Sequence, residues 1–86
     1  MRVNLVYEQL IDKKIVKIIK FLIKSKGKLV HLQQISKSSG VSIGTVFRII
    51  PKLIKAGVVR QVNVGKIKLY KVEDNKKTKE LRRVFG

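Results

Sequence analysis

The chain has 86 residues, with 21 Lys and Arg against 5 Asp and Glu, a net charge of +16 and an isoelectric point near 10.7. Its 44% of hydrophobic residues suffices for one core and leaves little for a second. A field of this sign gathers polyanions, so nucleic acid is the first expected partner and an anionic membrane surface the second, while the lack of cysteine excludes disulfides, thiolate metal sites and thiol catalysis and fits a reducing compartment, the cytoplasm.

From Val6 to Lys26 the apolar residues Tyr7, Ile11, Ile15, Ile18, Ile19 and Leu22 recur at helical spacing and predict a first helix. Lys13, Lys17, Lys20 and Lys24 fall together on the opposite side. Val16, Phe21 and Ile23 widen the apolar arc to roughly 220°, more than one contact face requires. A second subunit could take the excess, or the later segments 58–72 and 74–86 of the same chain could cover it. The stretch from Ile15 to Ile23 is interrupted by Lys17 and Lys20, too short and too charged to span a bilayer, and the N-terminus has no signal-peptide apolar region. No membrane segment is therefore expected.

Gly27 suits the left-handed position beyond the end of that helix. Leu29 and Val30 read as a very short strand. A second short helix follows His31, from Leu32 to about Ser39, and Gly40 stops it. Gly40, Val41 and Ser42 form a turn, and Ser42 is a suitable N-cap for a third helix from Ile43 to Ala56, closed by Gly57. Two helices around a tight turn with glycine are the sequence form of a helix-turn-helix. Val58 to Asn63 and Ile67 to Val72 are β-rich and predict a hairpin around Val64, Gly65 and Lys66. The polar run from Glu73 gives way to Leu81, Val84 and Phe85 at three- and four-residue spacing, which predicts a short C-terminal helix from about Lys76. Such a helix is too short to stand alone and must dock or fray.

The segment Leu32 to Val59 resembles the winged helix-turn-helix family of bacterial and archaeal transcription regulators. Gly40, Val41, Ser42, Thr45, Val46, Arg48, Ile50, Leu53, Gly57, Val58 and Val59 carry that resemblance, which with the hairpin covers about half the chain. It implies an α+β fold with a three-helix core and a β-hairpin wing, the third helix entering the major groove of double-stranded DNA and the wing lying along the backbone. The expected domain is residues 1–73, with 74–86 as a basic tail or short helix.

On the third helix, Val46, Ile49, Ile50 and Leu53 share one side, whereas Gly44, Thr45, Arg48, Lys52 and Lys55 share the other. Base reading needs side chains that reach base edges from the first turns, and arginine is the usual bidentate partner of guanine. Arg48 is the base-reading candidate. Thr45 suits a phosphate or a thymine methyl, and Gly44 permits close approach of the backbone. Ser42 could cap the helix or donate to a phosphate, at a helix end that favours anions. Lys52 and Lys55 suit phosphates, and Phe47 lies on the shoulder, with packing and a groove contact both open. Pro51 departs from the family pattern: it has no N–H for the Phe47 carbonyl, so a kink costing about 3 kcal/mol is expected, with base reading ending near Ile50. In the wing, Lys66 and Lys68, with Arg60 on the paired strand, are expected at phosphates, and Tyr70 in the core.

His31 is the only histidine and is expected at a helix cap or the surface rather than on a metal. No nucleophile-base set, paired acids or phosphate loop appears, so neither catalysis nor a cofactor is expected. The leading expectation is a sequence-specific transcriptional regulator binding a palindromic site as a homodimer, through the first helix and the C-terminal helix. The alternatives are a partition or architectural protein that coats DNA, or a winged-helix adaptor for protein or RNA.

Overall fold

The computed structural model describes residues 13–85. The expected start of the first helix at Val6, with Tyr7 and Ile11, lies outside the described residues. Helix α1 (Lys13–Lys24) buries Val16, Ile18, Ile19, Leu22 and Ile23, while Lys13, Lys17, Lys20 and Lys24 remain in solvent. It ends two residues earlier than expected, because Lys26 and Gly27 are both left-handed (φ 52° and 79°) and reverse the chain. Ser25 closes the last turn, its N–H and hydroxyl both donating to the Phe21 carbonyl.

Strand β1 (Val30–His31) is one residue later than Leu29–Val30, since the alternation that buries Val30 leaves Leu29 exposed. Helix α2 (Leu32–Ser39) begins at His31, whose Nδ1 accepts the Gln33 N–H at 3.5 Å, the cap role foreseen for it. Helix α3 (Ile43–Lys55) follows the turn and runs on as α-helix through Pro51. Strands β2 (Val59–Val64) and β3 (Ile67–Val72) form the hairpin, paired from Val59 with Val72 to Val64 with Ile67. Of the two loop residues only Gly65 has positive φ (61°), the pattern of a II′ turn, whose twist matches that of the strands. The antiparallel sheet has the order β1-β3-β2.

Ile18, Leu22, Ile35, Val46, Ile50 and Val59, each at most 2% exposed, form the centre of the core where α1, α2 and α3 meet the inner face of the sheet. Tyr70 is buried there, as its place in the sequence implies. Each such side chain removed from water contributes about 1.5 to 3 kcal/mol.

Helix α4 (Lys76–Phe85) docks rather than frays. Asn75 and Thr78 cap its start reciprocally: Asn75 Oδ1 accepts the Thr78 N–H at 2.9 Å, and Thr78 Oγ1 accepts the Asn75 N–H at 3.1 Å. The same residues tie the helix to the end of α3, Asn75 Nδ2 donating to the Gly57 carbonyl at 2.9 Å and Lys77 Nζ to that of Ala56 at 2.6 Å. Leu81 and Phe85 then pack on the core beside α1. Within Lys13–Lys24 the wide apolar arc is consequently covered, with five of its residues buried and Ile15 and Phe21 half-buried. Leu81 and Phe85 of the tail supply part of that cover, while Tyr7 and Ile11, the rest of the arc, lie outside the described residues.

Candidate nucleic-acid interface

The presentation of α3 begins in the turn before it. Gly40 (φ 74°) provides the left-handed step that ends α2. Val41 is then fixed through both backbone groups, its carbonyl accepting from the Ser36 hydroxyl at 2.6 Å and its N–H donating to Ser39 Oγ at 3.3 Å. With the Val41 side chain buried, the angle between α2 and α3 is held by packing and by two serines. Those serines were not singled out in the sequence. Their signal was the small-residue end of the second helix.

Val46, Ile49, Ile50 and Leu53 fasten α3 to the core, which leaves Gly44, Phe47, Arg48, Pro51, Lys52 and Lys55 facing solvent. Three residues along the first two turns are linked: Ser42 Oγ donates to Thr45 Oγ1 at 2.9 Å, and Arg48 Nη2 donates to the same oxygen at 3.4 Å. Ser42 occupies the N-cap position but its side chain accepts no helix amide; its hydroxyl donates to Thr45 instead. Of its two expected roles, capping is therefore not taken. The guanidinium of Arg48 commits one of its five donors here and keeps a planar fork for a partner.

A Cβ added at Gly44 would meet nothing within 4 Å. The protein's own packing does not require glycine there, although glycine in a helix costs about 1 kcal/mol relative to alanine. Phe47 is 68% exposed, so of the two roles left open for it packing is excluded. Since α3 continues to Lys55, Lys52 and Lys55 stay on the same helix as Arg48.

The wing divides its cations. Lys66 is in the hairpin loop, whereas Lys68 shares the inner face of the sheet with Tyr70 and lines, with Phe47, Pro51, Ile54 and Gln61, a cleft of about 270 Å³ beside α3. Arg60 alternates onto the outer face with Val62 and Val64, and its Nε lies 3.2 Å from the Glu73 carboxylate. The structure thus brings Gly44, Thr45, Arg48, Lys52 and Lys55 onto α3 with Ser42 at its N-cap, sets Lys68 across the cleft beside it, leaves Lys66 in the hairpin loop, and turns Arg60 to the outer face. The hairpin register carried the signal, because Arg60 pairs with Lys71, two residues from Glu73.

No acidic residue lies between Asp12 and Glu73, so every charge on α2, α3, β2 and β3 is positive. This run was legible in the sequence and passed over there in favour of the overall count. Among the described residues, no helix is long and apolar enough to cross a membrane, and no three of His, Cys, Asp or Glu group as metal ligands.

Helices packed around a fixed turn, with the second of the pair presented to solvent and a β-hairpin beside it, define a winged helix-turn-helix protein of the transcription-regulator type. The chain belongs to the IclR helix-turn-helix domain family, whose model matches residues 13–63. Solved structures of the same fold include AF1382 of Archaeoglobus fulgidus, 21% identical with a TM-score of 0.70, over 91% of this chain and 90% of that one. Two others are the MarR family transcriptional regulator SPO1453 of Silicibacter pomeroyi (13% identical, TM-score 0.66) and the PcaV transcriptional regulator of Streptomyces coelicolor in complex with its natural ligand (15% identical, TM-score 0.64). The matches cover 93% and 98% of this chain but 60% of each regulator. A search of curated proteins returns no significant match.

Proposed function

We propose that the protein regulates transcription by binding double-stranded DNA, with the first two turns of α3 in the major groove and the wing on the backbone. The observation that carries this reading is the outward side of α3, where the linked side chains of Ser42, Thr45 and Arg48 sit on a helix with no negative charge. Arg48 reads a base, with guanine the expected partner, and Thr45 and Ser42 hold the adjacent phosphate or base edge. Gly44 allows the helix to approach closely, while Lys52, Lys55, Lys66 and Lys68 neutralise phosphates. Arg60 is left out of this set because Glu73 neutralises it. Residues 1–73 are the binding module and 74–86 its basic tail with a short helix, and the protein works in the cytoplasm without a cofactor.

In the same reading the protein binds a palindromic site as a homodimer, with half-sites about one helical turn, near 34 Å, apart. One module buries only about 600 to 1,000 Å² on DNA, and a second copy doubles the contact. Val84, 45% exposed on α4, belongs to the surface available for that pairing.

The second reading, a protein that coats DNA with weak preference, is favoured by charge outside α3 and the wing, such as exposed Lys13, Lys17, Lys20 and Lys24 on α1. Selection of bound fragments from random DNA, followed by footprinting, decides between the two. The regulator enriches one motif and protects a discrete palindrome. A footprint that lengthens with protein concentration supports coating, and failure to retain DNA at low salt overturns both in favour of a protein or RNA adaptor.

A further inference from the structure

Phe47 is the most exposed of the large hydrophobic side chains in the described chain, at 68%, and it sits on the helix argued above to enter DNA. Its neighbours at i−3, i+1 and i+4 are Gly44, Arg48 and Pro51, all exposed, so the ring stands in an open sector beside the base-reading arginine. Gly44 has no side chain to shield the ring, and Pro51 extends the apolar surface along the helix. Lys68 approaches from the wing across the cleft that Phe47 lines. With no acidic residue from 13 to 72, this surface repels a second copy of itself and complements a polyanion. Among the base edges in the major groove, the one apolar group is the 5-methyl of thymine.

We propose, on the DNA-binding reading above, that Phe47 packs its ring on a thymine 5-methyl group in the major groove and makes thymine a required base next to the one read by Arg48. The ring then loses its exposure to water only in the specific complex. Phe47 thereby adds to sequence preference, whereas the lysines around it add to grip.

Replacing thymine by deoxyuridine removes that methyl and nothing else. The probe is the duplex that the full-length chain enriches from random DNA, with each thymine changed in turn to deoxyuridine and affinity measured for the wild type, Phe47→Ala and Phe47→Leu. The wild type is expected to lose about fourfold at one or two thymines, the factor for one buried carbon group. Phe47→Ala should show the same loss on the unmodified duplex and no further loss with deoxyuridine, and Phe47→Leu should keep part of the sensitivity. The ring is outside the core, so thermal unfolding of both variants should match the wild type. No methyl-sensitive thymine, or a sensitivity that survives in Phe47→Ala, overturns the inference while leaving DNA binding intact. Equal weakening of Phe47→Ala on thymine and deoxyuridine duplexes reassigns the ring to a sugar contact and also overturns it. Absence of any enriched duplex overturns the DNA reading itself, and this inference with it.

Discussion

Thr45 Oγ1 accepts from both Ser42 and Arg48, so the three side chains set one another's direction before any partner arrives. Less rotamer freedom then has to be lost on binding. The double variant Thr45→Ala, Arg48→Ala should lose about 1 to 3 kcal/mol of discrimination per base contact while keeping its affinity for arbitrary DNA, as measured by competition between a selected duplex and a scrambled one. Equal loss on both duplexes contradicts base reading. The wing cations separate by place, Lys66 in the loop, Lys68 on the inner face of the sheet and Arg60 on the outer face. Lys66→Ala and Lys68→Ala should each lower the slope of log K against log salt by about 0.9, whereas Arg60→Ala, which removes a partner of Glu73, should leave the slope unchanged and shift stability by less than about 1 kcal/mol.

At the scale of elements, α3 combines strong fastening with one weak point. Pro51 has no amide hydrogen for the Phe47 carbonyl, yet the helix persists to Lys55 because Ile50 and Leu53, buried on either side of it, hold both turns against the core. Pro51→Ala should therefore stabilise the protein by up to about 3 kcal/mol in urea titration. A loss of stability would show that the proline is accommodated without cost. Helix α4 depends on its first turn instead. Asn75→Ala removes the cap and the bond to the Gly57 carbonyl, and should cost about 1 to 2 kcal/mol and speed amide exchange in α4 before the rest of the fold. Uniform exchange throughout the chain would mean that α4 has no stability of its own to lose.

For the molecule as a whole, the first helix and the tail are one packing problem. Leu81 and Phe85 cover part of α1, so the segment that looked separable in the sequence is built into the core, and removing 74–86 should expose apolar surface and lower the unfolding temperature. Covering α1 from within also reduces what a partner subunit has to bury. The proposed homodimer is checked by light scattering at micromolar concentration with and without a selected palindrome. Two chains per duplex are expected, and one chain per duplex would remove the symmetric arrangement.

Element types and most boundaries were legible in the sequence because they follow from local causes. Apolar period marked the helices, Gly40 and Gly65 marked backbone that other residues adopt with strain, and β-rich runs on either side of Val64, Gly65 and Lys66 marked the hairpin, whose loop the strand pairing then shortens to Gly65 and Lys66. The shared cationic side of α3 was legible for the same reason, since a helix wheel needs no tertiary information. What the sequence left open involved residues distant along the chain. Whether α1 is covered depended on Leu81 and Phe85, whether Arg60 faces a phosphate on a carboxylate thirteen residues away, and whether Phe47 is core or surface on how α3 rolls against α2 and the sheet. Periodicity fixes which residues share a face; the direction that face points is decided by packing between elements, and tertiary contacts alone supply it.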